Sequence, residues 1–200
     1  MNRTPIAAAV LVAAILLAGC GSGRGPYSDN GSKHRDIARA ESSYQEAIKV
    51  IDTDAKAAEQ LLREAMGYDL YHGPAHNNLG VLLLKQGRLY DAAEEFEWAR
   101  KLLPGHPEPR VNLAITLARG GKHTDAIDAA RTALEVRPGN LPALQTLTWI
   151  QVDQALTDER TLAQLDTIVT RTVDPLWRSW AEQQRDRLRQ AETEQTILKP

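Results

Sequence analysis

Two stretches of this chain, HNNLGVLLLKQGRLYDAAEEFEWARKLLPGH from His76 and RVNLAITLARGGKHTDAIDAARTALEVRPGN from Arg110, align without a gap, each position thirty-four places before its counterpart. A fixed period of this length restricts the fold more than any single motif. Each copy is a small unit that cannot bury its apolar face alone, so it must stack on its neighbours. Leu79 matches Leu113 and then Leu147, and Gly80 matches Ala114. Gly87 matches Gly121, Ala92 matches Ala126, Ala99 matches Ala133, and Pro104 matches Pro138. Leu79 and Leu113 read as the inner face of a first helix. Gly80 and Ala114 leave room for a second helix to come close. Gly87 and Gly121 stand where the first helix ends, at a place where glycine takes positive φ at low cost. Ala92, Ala99, Ala126 and Ala133 are small residues at the helix–helix contact. Pro104 and Pro138 stop the second helix, which a proline cannot continue. The unit is therefore a helical hairpin.

The pattern NNLG…QG…AAEEFEWA…LPG resembles the tetratricopeptide repeat, with Phe96 in its aromatic place. The second copy departs from that signature: Ala130 replaces the aromatic residue, and Arg110 stands where a bulky residue is usual. The clear copies cover residues 73–106 and 107–140. Weaker copies flank them over 38–72 and 141–173, and residues 174–195 read as a capping helix. In the first weak copy, Ala58, Leu62 and Ala65 lie one full period before Ala92, Phe96 and Ala99. Its first helix is expected over 37–51, with Ala40, Tyr44, Ala47, Ile48 and Ile51 on one stripe. In the last weak copy, helices are expected over 141–154 and 159–171. Asp174-Pro175 starts the cap, whose apolar side is Leu176, Trp177, Trp180 and Leu188. The chain is expected to be loose from residue 196. The fold class is all-α: an α-solenoid of about four hairpins, degenerate at both ends, spanning residues 35–195.

The resemblance implies a concave groove, lined by first helices, that takes an extended peptide or a helix of a partner protein. Its groove positions fall on Asn77, Asn78, Val81, Leu84 and Lys85, then on Asn112, Ile115 and Arg119, then on Gln145, Trp149 and Val152. Amides can hold a peptide backbone without demanding a sequence, and tryptophan is a common anchor in interfaces. Some members of the family clamp a terminal carboxylate with cationic side chains. In either register those places fall on neutral or acidic residues here (Asn77, Pro142 and Thr146, or Ser43, Glu108 and Asn112), which disfavours such a partner.

The start of the chain carries a separate signal. Residues 6–17 are twelve positions without a charged or polar side chain. A membrane-spanning helix needs about 20. The run, behind Arg3, suits the apolar region of a secretory signal peptide. Leu17-Ala18-Gly19-Cys20 resembles the bacterial lipoprotein signal, the lipobox, at all four positions. The resemblance implies diacylglycerol on the Cys20 thiol and cleavage before it, so that residues 1–19 are removed. Cys20 is the only cysteine, so no disulfide framework competes for it. Residues 21–33 have linker composition, with an end-to-end distance of about 20 Å as a flexible coil. In enteric bacteria an Asp directly after the lipidated Cys favours the inner membrane. Gly21 and Ser22 stand here instead, which points to the outer membrane and a domain facing the periplasm.

Other chemistry finds little support. Net charge is −2, which gives no basic stripe for nucleic acid. Gly73-Pro74 separates His72 from His76, and no third ligand stands near, so no metal is expected. His34, His106 and His123 fall in turns or the tether. Glu94, Glu95 and Glu97 read as one solvated helix side. No phosphate loop, nucleophile elbow or zinc-protease motif occurs, and neither an enzyme nor a cofactor is expected. The resulting expectation is a lipid-anchored adaptor that holds a partner protein near a bacterial membrane. Its setting could be pilus or secretion-system assembly, where short lipoproteins of this layout occur, or envelope scaffolding. A self-associating structural element is the alternative.

Overall fold

The computed structural model describes residues 35–197; Cys20, the lipobox and the tether lie outside them. The described residues form nine helices and no strand: α1 (Ile37–Val50), α2 (Ala55–Tyr68), α3 (Gly73–Lys85), α4 (Leu89–Leu102), α5 (Glu108–Arg119), α6 (His123–Val136), α7 (Leu141–Asp153), α8 (Glu159–Arg171) and α9 (Pro175–Ile197). Each helix packs on its successor, and α3, α5 and α7 also meet one another in order. The first helices of successive hairpins thus stand in a row. This is the stacked-hairpin architecture expected from the period.

Local chemistry explains the starts of the helices. The side chains of Asp36, Asp54, Asn140 and Asp158 accept from amides in the first turns of α1, α2, α7 and α8. They satisfy donors that a helix start leaves open. At the start of α3 the cap is His72, whose Nδ1 accepts from the Ala75 amide. His123 opens α6 and does not lie in a turn. At the far end, α9 runs through residue 197, past the point where the spacing predicts a loose end.

Three of the first helices, α3, α5 and α7, end on a shared device. Gly87 and Gly121 have φ of 77° and 75°. They let the Arg88 and Lys122 amides reach back to the Leu83 and Leu117 carbonyls, both at 2.9 Å. The third copy keeps the backbone and loses the glycine. Ala155, two periods after Gly87, takes φ of 53°, and the Leu156 amide reaches the Gln151 carbonyl at 2.8 Å. A side chain is strained in that conformation. Ala155→Gly should therefore raise stability by about 0.5–1 kcal/mol, read as a higher urea midpoint. An unchanged or lower midpoint would show that the turn carries no such strain.

The core is built at one recurrent contact, where a residue of the first helix meets the residue sixteen positions later on the second. Gly80 faces Phe96: a methyl group on Gly80 would lie 2.6 Å from the Phe96 ring, and Phe96 is fully buried. In the next hairpin the same positions hold Ala114 and Ala130, both fully buried in one cluster with Leu147 and Ile150. In the third, Thr148 Oγ1 donates to Gln164 Oε1 at 3.1 Å. A small–large pair, a small–small pair and a hydrogen-bonded pair thus solve one geometric problem. Leu79, Ala92, Ala99, Leu113, Ala126 and Ala133 are all buried. Pro104 and Pro138 each follow the last helical residue by two positions.

Two apolar residues expected inside are outside. Ile48 is exposed, while Ala40 and Ala47 fill the buried side of α1. Leu176 is 79% exposed. The packed side of α9 is instead Trp180, Ala181 and Leu188, set against Leu165 and Ile168 of α8. Polar contacts hold the rest of the cap, where Arg185 and Arg189 both pair with Asp166.

Candidate partner-binding groove

Three hairpins are tied together by a chain of polar side chains along the first helices. Asn112 of α5 donates to Asn77 Oδ1 of α3 at 3.1 Å. Asn77 donates to Asn78 Oδ1 at 3.4 Å, and Asn78 donates to the Tyr44 hydroxyl of α1 at 3.2 Å. The Tyr44 ring lies 4.9 Å from that of His72, and burial pushes its phenol above the ordinary range. His72 continues the chain. Its Nδ1 is occupied as an acceptor, so Nε2 carries the proton and donates to Glu41 Oε2 at 3.1 Å. Tyr44, Asn77, Asn78 and Asn112 are all half-buried. An amide offers two donors and an oxygen with two lone pairs. One bond in each direction at Asn77 and Asn78, and one donated bond at Asn112, leave capacity for a further partner.

The remaining expected groove residues divide by burial. Val81, Leu84, Ile115, Trp149 and Val152 are half-buried, and Lys85 and Arg119 are exposed. Both cations sit in the last turn of their helices, where positive charge is favoured by the helix dipole. Ile115 packs against the cluster of Val111, Ala133 and Ala143. Gln145 does not belong to an open surface: it is 8% exposed and donates to Thr172 Oγ1 at 3.3 Å. The segment joining α8 to α9 closes over it, a contact that spacing within one repeat does not reveal.

Trp149 has two neighbourhoods. One side packs on the cluster of Ala114, Ala118, Ile127 and Ile150. It also lines an open cavity of about 290 Å³ with Asp174, Leu176, Trp177 and Trp180. The cavity partners come from the start of α9, which the sequence marks only as a cap.

Glu95 likewise departs from its neighbours in sequence. It is 4% exposed, and its Oε2 lies 2.7 Å from Nδ1 of the fully buried His76. His76 Nε2 donates to the Leu70 carbonyl at 2.8 Å, and the ring stacks on Trp98 at 5.6 Å. The three glutamates therefore do not share one solvated side. Among the described residues, no group of His, Cys, Asp and Glu is arranged to hold a metal ion, and no helix is long and apolar enough to cross a membrane.

A family model for the tetratricopeptide repeat matches residues 52–107 and 77–140. Those residues form tetratricopeptide repeats. The chain is 31% identical over 80 residues to the peroxisomal targeting signal receptor of Saccharomyces cerevisiae, a match that covers 40% of this chain and 13% of that receptor's length. Among solved structures, the first TPR domain of Spaghetti, bound to the HSP90 peptide SRMEEVD, superposes with a TM-score of 0.58 at 19% identity, covering 64% of this chain and 100% of that one. YrrB, a TPR protein with an unusual peptide-binding site, superposes at 0.60 with 20% identity, covering 74% and 76%. The O-GlcNAc transferase of Thermobaculum terrenum, in mutant form, superposes at 0.60 with 25% identity, covering 70% of this chain and 26% of that one. The likeness to Spaghetti and YrrB is one of fold alone. It agrees with the stacked-hairpin architecture.

Proposed function

We propose that this protein is a lipid-anchored adaptor that binds a segment of a partner protein along the row of first helices and holds it at a bacterial membrane, facing the periplasm. One observation carries the groove: Tyr44, Asn78, Asn77 and Asn112 form a half-buried polar chain across three hairpins. Such a chain offers amide donors and acceptors at intervals along an extended backbone. Two fold relatives are described as binding peptides, which supports a peptide segment as the ligand. The anchor rests on the lipobox-like Leu17-Ala18-Gly19-Cys20. Two lipid chains anchor a protein stably where one does not.

The test is crosslinking in intact cells, followed by recovery of tagged protein and mass spectrometry. The wild type is run beside Asn112→Ala/Trp149→Ala and beside Cys20→Ser. The groove variant should lose a single partner while its circular dichroism stays helical, with affinity down by about 30-fold or more. Cys20→Ser should leave uncleaved or soluble protein. Unchanged partner recovery in the groove variant would discard the groove. Recovery of the chain alone, equal in both, would replace it with self-association. Normal processing and membrane partition of Cys20→Ser would discard the anchor.

A further inference from the structure

Trp149, Trp177 and Trp180 are three of the four tryptophans in the chain, and they line one open cavity with Asp174 and Leu176. Trp177 and Trp180 meet edge to face, with ring centroids 5.3 Å apart and planes at 85°. They therefore form two walls at a right angle, and Trp149 adds a third ring from α7. Among the described residues, Asp174 is the sole charged one in the lining. Its Oδ1 accepts from the Leu176 amide at 2.8 Å and the Trp177 amide at 3.4 Å. These bonds place a full negative charge on the positive end of α9, which amounts to only about half a charge. The second carboxylate oxygen takes no part in them. The nearby Arg178 does not cancel that charge by an ion pair: its Nη2 donates to the Thr172 carbonyl at 2.7 Å.

Ring faces attract cations, and several rings around one point with a carboxylate nearby suit an organic cation on an apolar stem. The volume argues for something small. Sites for whole ligands run to about 300–1,000 Å³, and this cavity lies at the lower bound, with room for one long side chain. We propose that this cleft is a cation pocket that takes a lysine side chain of the partner segment. The reading rests on the groove proposed above for the source of the lysine: Trp149 belongs to the groove positions and to the cleft at once, so a segment lying along α3, α5 and α7 arrives at the pocket. The stem packs on the indoles, and the ammonium sits between ring faces and the Asp174 carboxylate.

The test is nuclear magnetic resonance of the indole N–H signals in the purified protein, assigned by single substitution. The probes are Nα-acetyl-lysine amide, tetramethylammonium chloride, sodium chloride at matched ionic strength, and neutral tert-butyl alcohol. Lysine amide and tetramethylammonium should shift the signals of Trp149, Trp177 and Trp180 and leave Trp98 in place. Asp174→Asn keeps a good helix cap and should weaken lysine amide binding by about three- to ten-fold. Asn112→Ala should leave these shifts unaltered, so failure of the groove and failure of the pocket are read separately. Equal shifts with tert-butyl alcohol would overturn the proposal, because the cleft would then be merely apolar. Shifts with tetramethylammonium but not lysine amide would also overturn it, in favour of a small-ligand site. Absence of shifts with either cation would end it outright.

Discussion

Gly80→Ala should destabilise the wild-type protein and stabilise a protein that already carries Phe96→Ala. In an open helix the substitution would gain about 1 kcal/mol, because alanine is the better helix former. At this site the new methyl group would lie 2.6 Å from a carbon of the Phe96 ring. That ring has no exposed surface and cannot swing into water. Overpacking of this kind costs about 1–3 kcal/mol, so the clash outweighs the propensity. Phe96→Ala alone should cost about 3–5 kcal/mol through the cavity it leaves. In that background the clash is absent, the methyl group fills part of the space, and the propensity gain of about 1 kcal/mol returns. Urea midpoints of the four proteins in this cycle decide the matter. Additive effects, with Gly80→Ala harmful in both backgrounds, would show that Phe96 is not what the glycine accommodates.

His76→Leu should cost about 3–5 kcal/mol although it exchanges one buried ring for an apolar side chain of useful size. The Leu70 carbonyl can only accept, so His76 Nε2 carries a proton. The 2.7 Å contact between Nδ1 and Glu95 Oε2 then holds a second proton, on the ring or on the carboxyl group. Leucine removes the ring from both partners and leaves the Glu95 carboxyl group inside the α3–α4 hairpin. Replacing one member of a buried pair costs far more than replacing both. His76→Leu/Glu95→Leu should accordingly recover most of the lost stability. Thermal melts of the two single variants and the double variant measure the difference. A double variant as unstable as the sum of the singles would mean that each residue stabilises the hairpin through other contacts.

The repeating part of this protein is legible in its amino-acid order alone. Leu79, Ala92 and Ala99 recur as Leu113, Ala126 and Ala133 because hairpin packing imposes the same volumes at those places, and the positive φ of Gly87 and Gly121 follows from the turn that ends α3 and α5. These are local demands, repeated once per copy, and a single sequence displays them as a period. Tertiary structure decided the exceptions. Glu95 turned inward because His76, nineteen positions earlier, stands across the hairpin. Gln145 was closed off by Thr172, twenty-seven positions later. Trp149 acquired its cleft from Asp174, Trp177 and Trp180, which the last hairpin brings back beside α7. In each case the partner lies in another helix or connecting segment and does not recur, so no periodicity announces it. Whether the Glu95 carboxylate, the Gln145 amide or the Trp149 indole meets water or protein depends on what the next helix or turn places against it. That placement exists only once the hairpins have stacked.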